Sequence, residues 1–341
     1  MFFVSCTKES LARNFPSGKV DEFSLHSFKV TIVTDRYLSD IFAEENGFSV
    51  VESPLLFTSD FQKVIFSQVT VDDKRDRLVV FKSTISGRPI YYHINKKGEF
   101  FCSTHISLLR TAGVPIEENR EVLPEFFVFR FVMPPNTLYK NIHQLLSGDQ
   151  LTINVRSEQC EISHIDNFIP PKPAISNSIE SVSDKTLSYL NTSIRNLDAC
   201  HNKISILLSG GLDSSILYKI CQTNFNTNIT FSTSYPFEDQ KNDFEKEYSL
   251  SAANYFKTNH HYFEITIKDY VTGLLESIKN AEVPIHHLQS VPLFLLSQHI
   301  PEKNNIVVSG LGADDIFGTS TQYELFQTDR KFLYKLLAKY Q

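Results

Sequence analysis

The sequence has few cysteines, and none of them is spaced like a metal ligand. The five thiols are those of Cys6, Cys102, Cys160, Cys200 and Cys221. They lie far apart, form no Cys-x-x-Cys pair and have no histidine nearby at ligand spacing. This pattern gives no support to a zinc site and predicts free thiols in a reducing cytosol.

The sequence also lacks a long apolar run. The first residues, Met1–Cys6, contain no basic segment, and their apolar run is too short to be the apolar region of a signal peptide. No later stretch approaches the ~18 uncharged apolar residues of a membrane span, and the most apolar segment, Phe126–Met133, is interrupted by Arg130. We therefore expect a cytoplasmic protein with no membrane partner, and we expect the aromatic cluster Phe126–Phe131 to lie in a core or between domains.

Positive charge is not in excess either. The chain has 33 Lys and Arg against 39 Asp and Glu, a net charge of −6, and no basic run. From this balance we expect no nucleic-acid partner. With 341 residues, 41% of them hydrophobic and 21% charged, the chain has the composition of a packed globular protein of about two domains.

The first half has the pattern of an antiparallel β domain. Short runs of β-branched and aromatic residues, such as Lys63–Phe66, Leu78–Phe81, Pro89–Tyr92 and Glu99–Phe101, are separated by turn-forming residues. Gly98 ends one of these turns, at a position where a hairpin needs a positive φ. We assign residues 1–165 to this domain.

A change of pattern follows. Three prolines lie within Asp166–Pro173, which indicates a linker. From residue 178 to 341 helical and strand patterns alternate. Predicted helices cover 178–197, 213–223, 244–257, 269–281 and 291–300, and predicted strands cover 204–208, 229–234, 261–267 and 305–309. Alternation of this kind predicts a parallel sheet covered by helices.

The most informative segment is Leu208–Ser215, with the sequence LSGGLDSS, between a predicted buried strand and a helix. Two glycines let the backbone approach a ligand closely, and the free N–H groups at the helix start and the nearby hydroxyls can donate to a phosphate. Asp213 would repel that phosphate unless a divalent cation lay between them, so the segment predicts a magnesium–nucleotide site. The simpler alternative is a Gly-rich turn in which Asp213 only begins a helix.

Three further segments carry a family resemblance. The pattern SGGxDS resembles the signature of ATP enzymes that release pyrophosphate, and Val307–Gly318 resembles the asparagine synthetase motif that ends in Gly-Ala-Asp-Glu-Leu-Phe-Gly. The strand Thr230–Ser234 and the helix Glu245–Phe256, followed by His260 and His261, resemble the segments between these motifs. More weakly, the second half of the family's glutaminase domain is resembled by Leu78–Tyr92, Phe100–Thr104 and Leu138–Gly148. We identify the chain as similar to the asparagine synthetase family over roughly residues 60–320.

This resemblance implies a fold and a site. The fold is α/β plus β: an N-terminal, mostly antiparallel β domain like an Ntn hydrolase, followed by a PP-loop domain with a parallel sheet and a short C-terminus. The implied cofactors are ATP and Mg²⁺, with Asp213 and Asp314 as metal ligands. The implied ATP-binding residues are Leu208, Ser209, Gly210, Gly211, Leu212, Asp213, Ser214, Ser215, Thr233, Ser309 and Gly310.

The sequence departs from the family at three places. Phe2 stands where the family has its nucleophilic Cys, so we expect no glutaminase activity. Leu311 stands where asparagine synthetases usually have a Glu. Only a short segment follows Gly318, and the roles of Lys331, Lys335 and Lys339 within it are open, because their spacing of four also suits a solvated helix face. We identify no catalytic residue.

The resemblance implies an ATP-dependent carbon–nitrogen ligase that forms an acyl-adenylate and releases AMP and pyrophosphate. Its substrates would be a small-molecule or peptide carboxylate and an amine, and a partner protein or homodimer is left open. Two alternatives are a cyclase of the β-lactam or lasso-peptide type and a non-catalytic nucleotide-binding remnant. Adjacent His260 and His261 point to opposite faces of a predicted strand, so we do not expect them to form one ligand pair.

Overall fold

The computed structural model divides the chain into two compact units, Met1–Ser183 with Leu275–Leu288, and Asp184–Leu274 with Gln289–Gln341. The residues that the structure describes are 2–15, 19–25, 28–34, 39–44, 47–52, 67–72, 74–84, 87–157, 159–165, 178–195, 197, 204–235, 240–285, 287–301 and 306–318. The predicted strand Lys63–Phe66, the linker Asp166–Pro173 and the lysines Lys331, Lys335 and Lys339 lie outside these residues. No helix in the described ranges has the length and apolar character needed to cross a bilayer.

The N-terminal unit is built from twelve described strands and two short helices. The strands are β1 (Phe2–Thr7), β2 (Lys19–Leu25), β3 (Phe28–Thr34), β4 (Ser39–Glu44), β5 (Gly47–Glu52), β6 (Ser67–Asp72), β7 (Arg77–Lys82), β8 (Tyr91–Ile94), β9 (Phe100–Ser103), β10 (His143–Gln144), β11 (Asp149–Asn154) and β12 (Gln159–His164). The helices are α1 (Ile106–Thr111) and α2 (Leu123–Phe129).

These strands form two antiparallel six-stranded sheets. Their orders are β10-β8-β9-β1-β3-β2 and β12-β11-β7-β6-β5-β4. Alternate residues of β6, β7 and β11 are buried, as expected for strands with one face on a core. Val4 and Ile32 of the first sheet share a hydrophobic cluster with Leu78 and Leu151 of the second, so the two sheets pack face to face.

The other face of the first sheet is covered by α1. Phe3 and Phe101 pack there in a second cluster with Ile106 and Leu109 of that helix. The predicted hairpin turn before β9 is confirmed, since Gly98 has a φ of 73° and donates its N–H to the carbonyl of Asn95 at 3.1 Å. The antiparallel character predicted for this half of the chain is therefore confirmed.

The remaining elements alternate between helix and strand. They are α3 (Ile179–Arg195), β13 (Ile204–Leu207), α4 (Leu212–Phe225), β14 (Ile229–Thr233), α5 (Gln240–Phe256), β15 (Asn259–Phe263), α6 (Ile267–Ala281), α7 (Ser290–His299), β16 (Ile306–Val308) and α8 (Ala313–Phe317). Each predicted helix and strand of this half is present, with ends that differ by a few residues.

The four strands of this half form one sheet in the order β15-β14-β13-β16, and every neighbouring pair is parallel. The sequence prediction of a parallel sheet is confirmed. β13 lies between β14 and β16, so the chain segments that follow β13 and β16 leave the same edge of the sheet side by side.

The aromatic cluster around α2 differs from expectation. Phe127 is 78% exposed, and Phe129 and Phe131 are about half exposed. The prediction that these side chains belong to a core is therefore wrong for Phe127, Phe129 and Phe131, and the alternative that they lie between domains stays a prediction. Arg130, in the left-handed conformation with a φ of 66°, ends α2, so the helix is too short to bury the whole cluster.

Candidate nucleotide-binding site

The turn between β13 and α4 is held by its own serine side chains. The Oγ atoms of Ser209 and Ser214 lie 3.1 Å apart, and Ser209 Oγ accepts a hydrogen bond from the N–H of Gly211 at 3.3 Å. Ser214 Oγ donates to the carbonyl of Gly211 at 3.1 Å. These bonds fix the turn before α4 begins, with Asp213 in the first turn of the helix, where the helix dipole favours negative charge.

Gly210 permits a close backbone contact between this turn and α5. Its φ is +83°, and a β-carbon at this position would lie 2.3 Å from both the carbonyl carbon and the oxygen of Tyr248. Any side chain would overlap the α5 backbone as well as strain the turn. The first glycine of the segment is therefore required by packing inside the protein.

A second turn, Ser309–Gly312, follows β16 and lies beside the first. The Oγ of Ser309 accepts a hydrogen bond from the N–H of Leu311 at 3.2 Å, and Gly312 has a φ of +89°. A β-carbon on Gly310 would lie 3.2 Å from Cβ of Asp213 and 3.3 Å from the amide nitrogen of Ser214. Pairing of β13 with β16 thus brings the two sequence motifs together.

A cavity of about 590 Å³ opens where the two turns meet, and it lies wholly within the C-terminal unit. Most of the predicted site residues line it: Leu208, Ser209, Gly210, Gly211, Asp213, Ser214, Thr233, Ser309, Gly310 and Asp314. Leu212 and Ser215 do not. Leu212 is 74% exposed, and both residues lie in the first turn of α4 on positions that face away from the cavity.

Two helices supply cavity residues that the sequence motifs did not indicate. They are Glu245, Tyr248 and Ser249 of α5, and Gln289, Pro292, Leu293 and Leu296 in and just before α7. Both sets follow the spacing i, i+3, i+4 of a single helix face. That spacing predicts a buried face, but a face turned to a core and a face turned to a cavity have the same pattern.

The charged side chains among the described lining residues are all carboxylates: Asp213, Glu245 and Asp314. Burial raises the pKa of Tyr235, and the nearby carboxylate of Glu245 raises it further, while a hydrogen bond with Gln289 opposes the shift. Tyr235 therefore stays a neutral phenol in the physiological range. The cavity combines a phosphate-type turn with negative charge, an arrangement suited to a ligand that brings cations with it.

The donor set suits magnesium in particular. Mg²⁺ is usually held by one or two carboxylates together with phosphate oxygens and water. Asp213 and Asp314 provide two carboxylates on the same cavity, beside hydroxyls that can bind phosphate. Within the described ranges no cluster of three or more His, Cys, Asp or Glu side chains could hold a metal by itself. A cation shared with a bound phosphate fits these residues.

Comparison with known proteins agrees with the two motifs. The asparagine synthase family model matches residues 188–338, and the glutamine amidotransferase domain model matches residues 59–164. The chain belongs to the asparagine synthetase family. In this family member the asparagine synthase match contains both turns and every residue that lines the cavity.

The relatives of this family member are longer than the chain. It is 26% identical to asparagine synthetase 1 (glutamine-hydrolyzing) of Bacillus subtilis over 237 residues. This match covers 68% of this chain and 35% of the relative. It is 29% identical to asparagine synthetase (glutamine-hydrolyzing) of Zea mays over 136 residues, and this match covers 38% of this chain and 23% of the relative. The chain thus spans about a third of the Bacillus protein and less of the maize protein.

Among solved structures, this member of the asparagine synthetase family is similar to the NH3-dependent NAD synthetase from Campylobacter jejuni. The sequences are 17% identical, the TM-score is 0.28, and the match covers 42% of this chain and 62% of that one.

The four described cysteines of the asparagine synthetase family member are free thiols, of which Cys6, Cys102 and Cys221 are buried and Cys160 is exposed. Burial, with a smaller effect of the Glu99 carboxylate, raises the pKa of Cys6 to about 12. Burial also raises the pKa of Cys102 and of Cys160, and it raises the pKa of Cys221 to about 11. Each of the four described cysteines is therefore a neutral thiol near pH 7, whereas a nucleophile must be a thiolate.

Proposed function

We propose that the protein is an ATP-dependent carbon–nitrogen ligase that activates a carboxylate as an acyl-adenylate. The observation that carries this proposal is the junction of the two turns at one cavity, where Asp213 lies beside Gly310 and where both Asp213 and Asp314 line the cavity. A turn rich in N–H and hydroxyl donors next to paired carboxylates suits a magnesium-bound polyphosphate. Membership of the asparagine synthetase family supports amide formation as the outcome.

In the proposed reaction a carboxylate oxygen of the acid attacks the α-phosphorus of ATP. The bond between that phosphorus and the β-phosphate oxygen breaks, and pyrophosphate leaves. The amine nitrogen then attacks the acyl carbon, loses a proton to solvent, and displaces AMP. Neither step changes an oxidation state, and the products are an amide, AMP and pyrophosphate.

The residues of the two turns would bind and orient the phosphates. The first free N–H groups of α4 would donate to the pyrophosphate as its negative charge grows, and the hydroxyls of Ser209 and Ser214 would do so by exchanging the bonds they make within the turn. Asp213 and Asp314 would hold Mg²⁺, which when bound supplies charge neutralisation to the leaving group. The apolar side chains of Leu293 and Leu296 line the same cavity and would limit the access of water to the activated acid.

We infer in addition that the N-terminal unit does not hydrolyse glutamine through its described cysteines. Each of these three thiols, Cys6, Cys102 and Cys160, has a raised pKa, so the fraction present as thiolate at neutral pH is very small. The amine would then come from solution or from a substrate that carries its own amine.

A cyclase of the β-lactam or lasso-peptide type is a second candidate, favoured by Leu311. This residue lines the cavity, is 66% exposed, and stands where asparagine synthetases usually have a Glu. An isobutyl side chain at the cavity mouth neither accepts a proton nor binds an ammonium group, and it suits a larger, partly apolar substrate.

The test is the exchange of labelled pyrophosphate into ATP, measured with the full chain, Mg²⁺ and a panel of carboxylic acids that includes aspartate and peptide acids. We expect exchange that depends on one class of acid and is lost in Asp213→Ala. Exchange with a peptide acid but not with aspartate would favour the cyclase. Binding of ATP without exchange for any acid would instead support a non-catalytic nucleotide-binding protein.

A further inference from the structure

Three polar side chains lie in a row on one face of the parallel sheet, between β14 and β15. The imidazole of His260 lies between two hydroxyls: its Nδ1 is 2.9 Å from Oγ1 of Thr230, and its Nε2 is 2.9 Å from Oγ of Ser232. His260 pairs directly with Thr230 in the register of the two strands, and Ser232 is two residues further along the same face. Both ring nitrogens are therefore engaged.

The row continues to a fourth hydroxyl. Oγ1 of Thr230 also lies 2.8 Å from Oγ1 of Thr258, and the Thr230 residue is fully buried. Of the four residues only Ser232 lines the nucleotide cavity. An uninterrupted hydrogen-bonded row thus runs from the cavity through His260 to Thr258. His261 has no part in it, since its ring stacks on Phe231 at 5.1 Å, on the opposite face of the sheet.

The imidazole in this row is neutral at physiological pH. Burial lowers the pKa of His260, and the neighbouring His261 lowers it further. A neutral imidazole has one N–H donor and one acceptor nitrogen, so its two tautomers impose opposite directions on the row. The direction of the hydrogen bonds matters at Ser232, because its hydroxyl is the end of the row that lies at the cavity.

The two directions leave different groups for a ligand. If Nε2 carries the proton, it donates to Ser232, and the O–H of Ser232 is free to donate to the ligand. If Nδ1 carries the proton, it donates to Thr230, Thr230 donates to Thr258, and Ser232 donates to Nε2. Ser232 then offers the ligand only an acceptor lone pair. Thr230 can serve in either case because Thr258 can reverse its role.

We propose that His260 is a positioning residue of the nucleotide site. It holds the hydroxyl of Ser232 at the cavity edge, and the choice of tautomer sets whether that hydroxyl donates to or accepts from the bound nucleotide. This inference rests on the proposed function, because it takes ATP as the ligand of the cavity. It assigns a role in binding to a residue that lies outside the cavity lining.

The test is a double-mutant cycle on ATP affinity, measured by calorimetry with the full chain. His260→Leu removes both bonds of the imidazole, and Ser232→Ala removes the hydroxyl. We expect each single variant to weaken ATP binding about tenfold, the value for one lost hydrogen bond, and the double variant to be no weaker than either. Thr223→Val is the matched control, because it removes an exposed threonine hydroxyl of α4 that lies outside both the row and the cavity lining, and it should change affinity less than twofold.

The same experiment separates this inference from the proposed function. A wild-type chain that binds no ATP overturns the proposed function and the inference together. If the wild-type chain binds ATP and the His260→Leu variant binds it with equal affinity, the inference alone is overturned. The inference is also overturned if the double variant loses the sum of the binding free energies that the two single variants lose. In a turnover assay the effect should appear in KM for ATP with kcat unchanged, which a general loss of folded protein would not produce.

A spectroscopic measurement covers the case in which His260→Leu does not fold. In the ¹⁵N spectrum of the wild-type protein, the two ring nitrogens of His260 report the tautomer directly. We expect their shifts to move when ATP saturates the cavity and not to move in Ser232→Ala. Unchanged shifts in the wild-type protein at saturation would overturn the inference.

Discussion

Gly310 lies directly against Asp213. A β-carbon on Gly310 would be 3.2 Å from that of Asp213, closer than the usual carbon–carbon contact of about 3.5 to 4.0 Å. The glycine therefore sets the distance between the turn after β16 and the start of α4. The same contact holds Asp213 beside the turn that leads to Asp314, and both carboxylates line the cavity.

Gly310→Ala should accordingly damage binding more than folding. The added methyl group must displace Asp213 or the turn by a few tenths of an ångström, and we expect ATP affinity to fall about tenfold. The measurement is calorimetric titration with ATP and Mg²⁺. Gly87→Ala is the control, because a β-carbon there meets no atom within 4 Å. Equal affinities for Gly310→Ala and wild type would show that the contact does not position the site.

Gly210→Ala should instead lower the stability of the whole unit. The new β-carbon would overlap the backbone of Tyr248, and the φ of +83° adds strain of about 1 to 2 kcal/mol. We expect a loss of more than 2 kcal/mol in the free energy of unfolding, measured in urea. The neighbouring Gly211→Ala is the matched control, since its β-carbon would lie 3.4 Å from Oγ of Ser209 and its φ is −72°. Similar losses for the two variants would contradict the packing argument.

The proposed magnesium site gives different roles to two adjacent aspartates. Asp314 lines the cavity and Asp315 does not, although both begin α8. Asp314→Asn should raise the Mg²⁺ concentration needed for half-maximal pyrophosphate exchange about tenfold or more, because one anionic ligand is lost. Asp315→Asn should leave that concentration unchanged. If both variants behaved alike, Asp314 would act as part of the helix start and not as a ligand.

The buried thiols predict a loss of stability at alkaline pH. The folded state holds Cys6 as a neutral thiol with a pKa of about 12, whereas an unfolded thiol ionises from about pH 9. The stabilising effect is complete below pH 9 and is lost as the pH rises towards 12, by about 1 kcal/mol per thiol between pH 9 and 10. Urea unfolding at pH 8, 9 and 10 measures this slope, and Cys6→Ala should reduce it. An identical slope in that variant would refute the assignment.

Glu282 stabilises the start of α1. Both of its carboxylate oxygens accept the N–H of Ser107 at 3.1 Å, and one also accepts the N–H of Ile106. His105, which precedes the helix, makes no capping bond with its side chain, so the carboxylate takes over that role. Glu282→Ala should reduce the free energy of unfolding by about 1 to 2 kcal/mol. Glu276→Ala, an exposed position on α6, is the control, and equal effects would show that the cap contributes nothing.

The sequence predicts the parallel sheet and the two turns well because their signals are local. The apolar run at 204–208, followed by two glycines and a helical pattern, indicates a strand, a turn and a helix, and the structure has β13, the turn and α4 there. The cap formed by Glu282 could not be predicted in this way. Its partners lie 175 and 176 residues away, and no local pattern connects them.

The aromatic cluster is a case in which the local sequence predicts burial and the structure shows exposure. Phe127 and Phe129 look like core residues by composition, but α2 is a short helix, and these side chains stay exposed. The cavity face of α7 is ambiguous for a related reason. Gln289, Leu293 and Leu296 have the spacing of any buried helix face, and only the position of the helix beside β14 makes that face a cavity wall.

Strand β16 completes the parallel sheet at the edge of β13, although it is the last of the four strands to be synthesised. A ribosome adds about 5 to 20 residues per second, so Gly310 follows Asp213 by about 5 to 20 s. During that interval the nascent unit has its phosphate turn but lacks one wall of the cavity. Under the proposed function, ATP would gain its full set of contacts only after β16 has paired, so we expect little stabilisation of earlier intermediates by the nucleotide.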